Sequence, residues 1–262
     1  MRVGLVQSDP PWEARDANLE IAARDAAKAV DAGARLVLFP EMFAVGFTMA
    51  VDKVSEPPDG PTPSLLVELA TRLDAYVGGS FPCRASAGER PTNRFVVAGP
   101  DAKLQHYDKI HPFSYGGEDR FYAPGTKMAR FAIDELRATP FVCYDLRFAD
   151  QFWQQASDTD VYLGVANWPA ARQEHFDHLI TARAIENQAY VVAVNRCGVG
   201  DGIAYRGGSA VIAPFGEAVA RAGSGTEILL AEIDAAKVAE VRSRYRFLQD
   251  RVRVPACARE EE

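Results

Sequence analysis

The chain has 262 residues, 48% hydrophobic and 25% charged, an ordinary composition for a soluble globular protein. A net charge of -7 and a pI near 5.3 argue against a nucleic-acid binder, because phosphate contacts need a basic face. No apolar run approaches the roughly 18 residues of a membrane span, and the apolar core of the opening "MRVGLVQSDP" is too short for a signal peptide, so a cytoplasmic location without a membrane partner is expected.

The predicted elements alternate. "RVGLVQ" (2–7) is short and rich in β-branched residues and reads as a buried strand. "ANLEIAARDAAKAVDAGA" (17–34) has helical spacing, with Gly33 as its stop. "RLVLF" (35–39) is a second strand, and "PSLLVELATRLDA" (63–75) is an amphipathic helix with proline at its start. "YVGGSF" (76–81) and "RFVVAGP" (94–100) follow as strands, with 82–93 a polar loop between them.

"TPFVCYD" (139–145) reads as a strand entering a turn, and "DQFWQQA" (150–156) as a short helix. "DVYLGVAN" (160–167) is a strand, 172–190 a long helix and "VVAVNR" (191–196) another strand. Residues 208–222 predict a hairpin turning at Pro214–Gly216. A strand (227–234) and a helix (235–246) close the pattern. Alternating strands and helices predict a layered α/β fold. No linker divides the chain, so residues 1–262 read as one domain whose last stretch, about 250–262, is a polar tail.

Cys83, Cys143, Cys197 and Cys257 are widely separated and form no C-x-x-C pair, so neither a disulfide framework nor a thiolate zinc site is suggested. In α/β folds ligands gather beyond the carboxyl ends of the strands. Glu41 after "RLVLFP", Lys109 after "KLQHYD" and Cys143 after "TPFV" each read as standing at a strand end. A thiol needs a base or an electropositive setting to become a nucleophile. A carboxylate can be that base, and a lysine can hold the oxyanion of a tetrahedral intermediate together with a backbone N–H, here that of Tyr144. Taken singly, each has a plainer reading: a small core residue, an ion-pair partner or cap, and a surface lysine.

Other features are weaker. His175 and His178 lack the H-E-x-x-H pattern and read as a helix face, so no metal is assigned. "GVGDG" (198–202) opens no helix and reads as a loop. Arg183 and Glu186 read as a helix ion pair, and there is no G-x-S-x-G elbow. Trp168 in "ANWP" is either core or the apolar wall of a pocket.

Taken together, "LVLFPEMF", "YDKIHPF" and "VCYDLRF", in that order, resemble the glutamate, lysine and cysteine segments of the nitrilase, or carbon–nitrogen hydrolase, superfamily. "GGEDRFYAPG" resembles the stretch carrying an assisting glutamate, which assigns that role to Glu118. "ARAIENQAYVVAVNR" and "GGSAVIAPFGE" resemble later segments, so the likeness spans nearly the whole chain. The resemblance implies a four-layer αββα sandwich and a homodimer or higher homo-oligomer. It also implies a thioester mechanism with no metal or organic cofactor: Glu41 as base, Cys143 as nucleophile, Lys109 and the Tyr144 N–H on the oxyanion.

"ANWP", "HFDHLITARAIENQAYVVAVNR" and "YRGGSAVI" look most like the omega-amidase branch, which hydrolyses the terminal amide of 2-oxoglutaramate and similar short dicarboxylate monoamides. The partner implied is therefore a small-molecule amide. Alternatives are the same chemistry on deaminated glutathione or an N-carbamoyl amine, or a scaffold without turnover. For the substrate's carboxylate, Arg147 is the nearest cation by sequence; its other reading is a structural pair with Asp145 or a helix carboxylate. Phe113, Tyr144 and Trp168 are the candidate pocket walls.

Overall fold

A computed structural model of the chain describes residues 1–252. Cys257 and most of the segment read as a polar tail lie outside the described residues. The strands in chain order are β1 (Arg2–Gln7), β2 (Leu36–Leu38), β3 (Tyr76–Cys83), β4 (Thr92–Ala98), β5 (Leu104–Asp108), β6 (Phe131–Ile133) and β7 (Leu136–Val142). They continue with β8 (Val161–Ala166), β9 (Tyr190–Asn195), β10 (Cys197–Gly200), β11 (Ile203–Arg206), β12 (Ala210–Ile212), β13 (Ala218–Arg221) and β14 (Glu227–Glu232).

Twelve of them form two six-stranded sheets, ordered β14-β1-β2-β3-β4-β5 and β13-β12-β9-β8-β7-β6, and β10 and β11 pair as a separate two-stranded sheet. Each six-stranded sheet has a parallel core, β1-β2-β3 or β7-β8-β9, flanked by antiparallel strands. No helix among the described residues is long and apolar enough to cross a membrane.

The two-residue period of the strands sorts side chains into layers. On β4, Phe95 and Val97 face the other sheet, while Val96 and Ala98 face helices. β2 does the same with Leu36 and Leu38 inward and Val37 outward. Phe95 meets Phe131 edge to face at 5.7 Å between ring centroids, joining the sheets. The sequence is therefore read twice, once by each side of the sheet.

The helix Arg15–Asp31 buries Ala22, Ala26 and Ala29, small residues on one stripe that let it lie close to β1. Gly33, at φ +92°, ends it, and the Gly33 and Ala34 N–H groups return to Val30 and Ala29. Pro61 starts the helix Pro61–Leu73, which buries Leu66, Leu69 and Ala70. Truncating such a leucine to alanine costs about 2–5 kcal/mol. The helices Ala149–Gln155 and Gln173–Asn187 cover the second sheet through Phe152, Phe176, Ile180 and Ala184. The architecture is the αββα sandwich that the resemblance implied.

Some expectations needed correction. The segment 82–93 is not all loop: Pro82 and Cys83 belong to β3 and Thr92 and Asn93 to β4, paired in register. Cross-strand hydrogen bonding there outweighs local polarity. "GVGDG" is the turn of the β10–β11 hairpin, with Asp201 and Gly202 at positive φ. The predicted strand 139–145 stops at Val142.

Candidate active site

The carboxyl ends of β2, β5 and β7 deliver Glu41, Lys109 and Cys143 to one place. Beyond β2 the chain turns sharply: Met42 has φ +46°, and its N–H is caught by Ser80 Oγ at 2.8 Å. That turn leaves the Glu41 side chain buried, 1% exposed. Lys109 directly follows β5, and its carbonyl accepts the Gly125 N–H at 2.7 Å. A Cβ at Gly125 would sit 2.0 Å from the Asp108 carbonyl oxygen, so only glycine permits this approach.

Lys109 Nζ lies 2.9 Å from Glu41 Oε1 and 2.8 Å from Glu118 Oε2. Glu118 opens a short helix, Glu118–Phe121, behind Gly117 at φ +78°. Its Oε2 also accepts the Phe113 N–H at 2.5 Å. Asn93 Nδ2 bridges the carboxylates, 2.8 Å from Glu41 Oε1 and 3.2 Å from Glu118 Oε1. Asn167 finishes the clamp, its N–H on Glu41 Oε2 at 2.9 Å and its Nδ2 on the Glu41 carbonyl at 2.8 Å. Two carboxylates and one ammonium are thus packed out of water and satisfied by named donors, as buried charge requires.

Burial would push the Lys109 ammonium's pKa down, but Glu118 and Glu41 more than offset it and hold it above lysine's usual value. Burial raises the Glu118 carboxyl, with Lys109 acting in opposition. The Cys143 thiol is pushed well above its ordinary value by burial and then by Glu41; Lys109 and the Asn167 N–H pull the other way. At rest, therefore, sulfur holds its proton beside a carboxylate.

Cys143 has φ +44°, the left-handed region a side chain enters only when its surroundings force it. Asp145 supplies that force. Its carboxylate accepts the Val142 N–H (3.0 Å), the His111 N–H (3.0 Å) and the Tyr107 hydroxyl (2.9 Å), and lies 2.8 Å from His111 Nδ1. The turn and the segment after Lys109 are therefore locked together. Cys143–Arg147 is a 3₁₀ turn, and the N–H groups opening it, Tyr144 included, have no acceptor within the turn.

Cys143 opens onto a cavity of about 370 Å³. The three candidate wall residues, Phe113, Tyr144 and Trp168, line it, and so does Arg147, the candidate cation. Glu41, Lys109 and Glu118 lie behind the cysteine rather than on the wall. Trp168 is both core and wall: it is 2% exposed, and its indole donates to the Arg172 carbonyl at 2.8 Å. Asn195 fixes its backbone through the Trp168 N–H at 2.7 Å. Arg147 does not pair with Asp145 or a helix carboxylate, because Asp145 is committed to the turn. Its guanidinium stacks on Trp168 at 4.8 Å and donates to His175 Nδ1 at 3.2 Å. The expected Arg183–Glu186 pair is present at 2.9 Å.

The sequence profile described as Carbon-nitrogen hydrolase matches residues 2–243. The chain belongs to the carbon–nitrogen hydrolase family. The hydrolase acts on C–N bonds, and it is 36% identical over 253 residues to omega-amidase YafV of Escherichia coli K12, covering 95% of this chain and 96% of that one. It is 29% identical over 223 residues to the 2-oxoglutaramate amidase of Bacillus subtilis, covering 83% and 85% of the two chains. A solved superfamily protein from Xanthomonas campestris, with an arsenic adduct in its active site, superposes with a TM-score of 0.91 at 35% identity, covering 98% of each chain.

Sequence reasoning missed Asn93, Asn167, Arg172 and Tyr205. Asn93 lay in the supposed loop, and asparagines carry no spacing signal. Tyr205 lines the cavity from β11, held by the buried Arg196, whose guanidinium is 4.6 Å from its ring and 2.8 Å from Asp9. Brief thiol alkylation of the hydrolase should modify Cys143 first. Cys83 and Cys197 are 2% exposed and do not line the cavity, whereas Cys143 is 9% exposed, opens onto it and has the Glu41 carboxylate beside it as a base. Peptide mass spectrometry after short labelling checks this; earlier labelling of Cys83 or Cys197 contradicts it.

Proposed function

We propose that the hydrolase cleaves the terminal carboxamide of a small oxo-acid monoamide of the 2-oxoglutaramate type, releasing ammonia through a thioester. Glu41 takes the proton of Cys143, and the thiolate attacks the amide carbon. A carboxylate has about four lone-pair sites. Lys109, Asn93 and Asn167 occupy three on Glu41, leaving one for the thiol. An ammonium has three donors. Glu41 and Glu118 take two from Lys109, and the third joins the Tyr144 N–H on the oxyanion.

When the tetrahedral intermediate collapses, the proton held by Glu41 goes to the departing nitrogen, and ammonia leaves. Glu41 then takes a proton from water, whose oxygen attacks the thioester carbon. The acid leaves, and the proton returns to sulfur. Glu118 orients Lys109 throughout. The mechanism draws on no metal or cofactor.

The observation that carries the substrate reading is one cavity lined by Cys143 and by Arg147, a guanidinium without a carboxylate partner among the described residues. A substrate with an amide at one end and a carboxylate at the other satisfies both. The names of the Escherichia and Bacillus relatives support the same class. Ammonia release should be measured with 2-oxoglutaramate, deaminated glutathione, an N-carbamoyl amine, pentanamide and a nitrile. The oxo-acid monoamide is expected to have the highest kcat/KM; a higher value for any other member overturns the assignment.

A further inference from the structure

Arg172 stands apart from the other arginines. Among the described residues, every other buried or half-buried arginine donates from its guanidinium to at least one protein acceptor. Among the described residues, the remaining arginines without an acceptor, Arg120, Arg206, Arg244 and Arg246, are on open surface. Arg172 is half-buried and lines the cavity that holds Cys143, yet its guanidinium has no protein acceptor among the described residues and lies over the face of Phe113, at 5.4 Å. A guanidinium taken partly out of water without an acceptor is unfavourable unless a ligand supplies one.

The backbone of Arg172 is fixed. Its N–H donates to the Pro169 carbonyl at 3.0 Å, and its own carbonyl holds the Trp168 indole at 2.8 Å. The side chain is therefore carried on the same rigid wall as Trp168, against which Arg147 stacks. Arg147 has one acceptor, a ring nitrogen, and no carboxylate. Asp201, the one acid lining the cavity, is exposed at the β10–β11 turn and pairs with neither arginine. The cavity thus offers two guanidinium groups on one wall, while the charges behind its floor are Glu41, Lys109 and Glu118.

We infer that Arg172 is a specificity-determining residue, pairing with the substrate's carboxylate as the second half of a two-arginine clamp with Arg147. The inference rests on the oxo-acid monoamide reading above and deepens it. A 2-oxo acid head is planar and presents three oxygens, which suits two forked guanidinium groups better than one. The clamp also sets direction: the anionic end stays on the arginine wall, and the amide is left at Cys143. Uncharged amides lack the group that Arg172 recognises.

The test compares Arg172→Gln and Arg172→Lys with the parent enzyme on 2-oxoglutaramate and on pentanamide, a neutral amide of equal length. Neither substitution removes the backbone bond to Trp168. For R172Q, kcat/KM on 2-oxoglutaramate is expected to fall about 100-fold, as for loss of a charge-assisted hydrogen bond. The fall should lie mainly in KM, with pentanamide changed less than about 3-fold. R172K should recover only part of the loss, since lysine supplies a point charge without the fork. Equal losses on both substrates would assign Arg172 a merely structural role and overturn the clamp, as would an unchanged preference for the anion in R172Q. A parent enzyme that favours pentanamide would instead overturn the substrate reading itself.

Discussion

Cys143→Ala is expected to abolish ammonia release from 2-oxoglutaramate, with a loss exceeding about 10⁴-fold, the scale seen when a covalent nucleophile is removed. The fold should survive. The substitution deletes one sulfur that borders a cavity and keeps a Cβ at a backbone site already held at φ +44° by Asp145. It also removes a thiol that burial and Glu41 both disfavour in its ionised form. The thermal midpoint should therefore stay close to the parent's. Ammonia release and thermal unfolding measured on the same preparation decide the matter. Appreciable turnover in a folded C143A variant would eliminate the thioester route.

Lys109→Met should be less damaging to turnover than C143A but far more damaging to stability. Removing one preorganised oxyanion donor costs about 10²–10³ in kcat. The stability loss should be about 3–5 kcal/mol, the scale for breaking a buried ion pair and leaving charge uncompensated. Glu41 and Glu118 are 1% and 0% exposed, and without the ammonium they face each other.

The pH dependence follows from the directions of the shifts. In the parent, the Lys109 pKa is raised by folding, so its contribution is complete below the unfolded value of about 10.4 and is lost only as pH rises through the folded one. Glu118 is raised too, so the native state binds its proton more tightly and gains stability as pH falls toward the unfolded value of about 4.3. Deleting Lys109 enlarges that second effect. K109M should therefore gain more stability than the parent as pH is lowered from neutrality toward the unfolded Glu118 value of about 4.3. Adding Glu118→Gln to K109M removes one of the facing charges and should restore stability without restoring turnover. Denaturant unfolding at several pH values measures this. A flat pH response in K109M, or no rescue by E118Q, would contradict a Lys109 held between two ionised carboxylates.

Much of this protein was legible along the chain. "RVGLVQ" became β1 over the predicted residues, and the Ala-rich and Leu-rich helices formed within a few residues of their expected limits. The reason is local: strand and helix periods of 2 and about 3.6 are properties of neighbouring residues. Boundaries failed where a partner strand decided them, as at Pro82–Cys83 and Thr92–Asn93, which are polar or turn-like in isolation but complete the β3–β4 ladder. Glu41, Lys109 and Cys143 could be named in advance because each ends a strand inside a distinctive short segment, and Glu118 because its segment resembled the family's.

Convergence is another matter. Lys109 lies 68 residues from Glu41 and 9 from Glu118, and one ammonium reaches both carboxylates because sheet order brings β2 and β5 to the same rim. Asn93 and Asn167 gain their roles only there. Arg147 shows the limit best. By sequence its nearest anion is Asp145, but that carboxylate is consumed by Val142, His111 and Tyr107, and the arginine turns to Trp168 and His175. The sequence by itself determined the layers, the family and the chemical types at the strand ends, because these depend on short-range pattern. Only the tertiary structure decided which charges share a proton donor and which guanidinium is left without an acceptor, because hydrogen-bond valence is settled among neighbours in space.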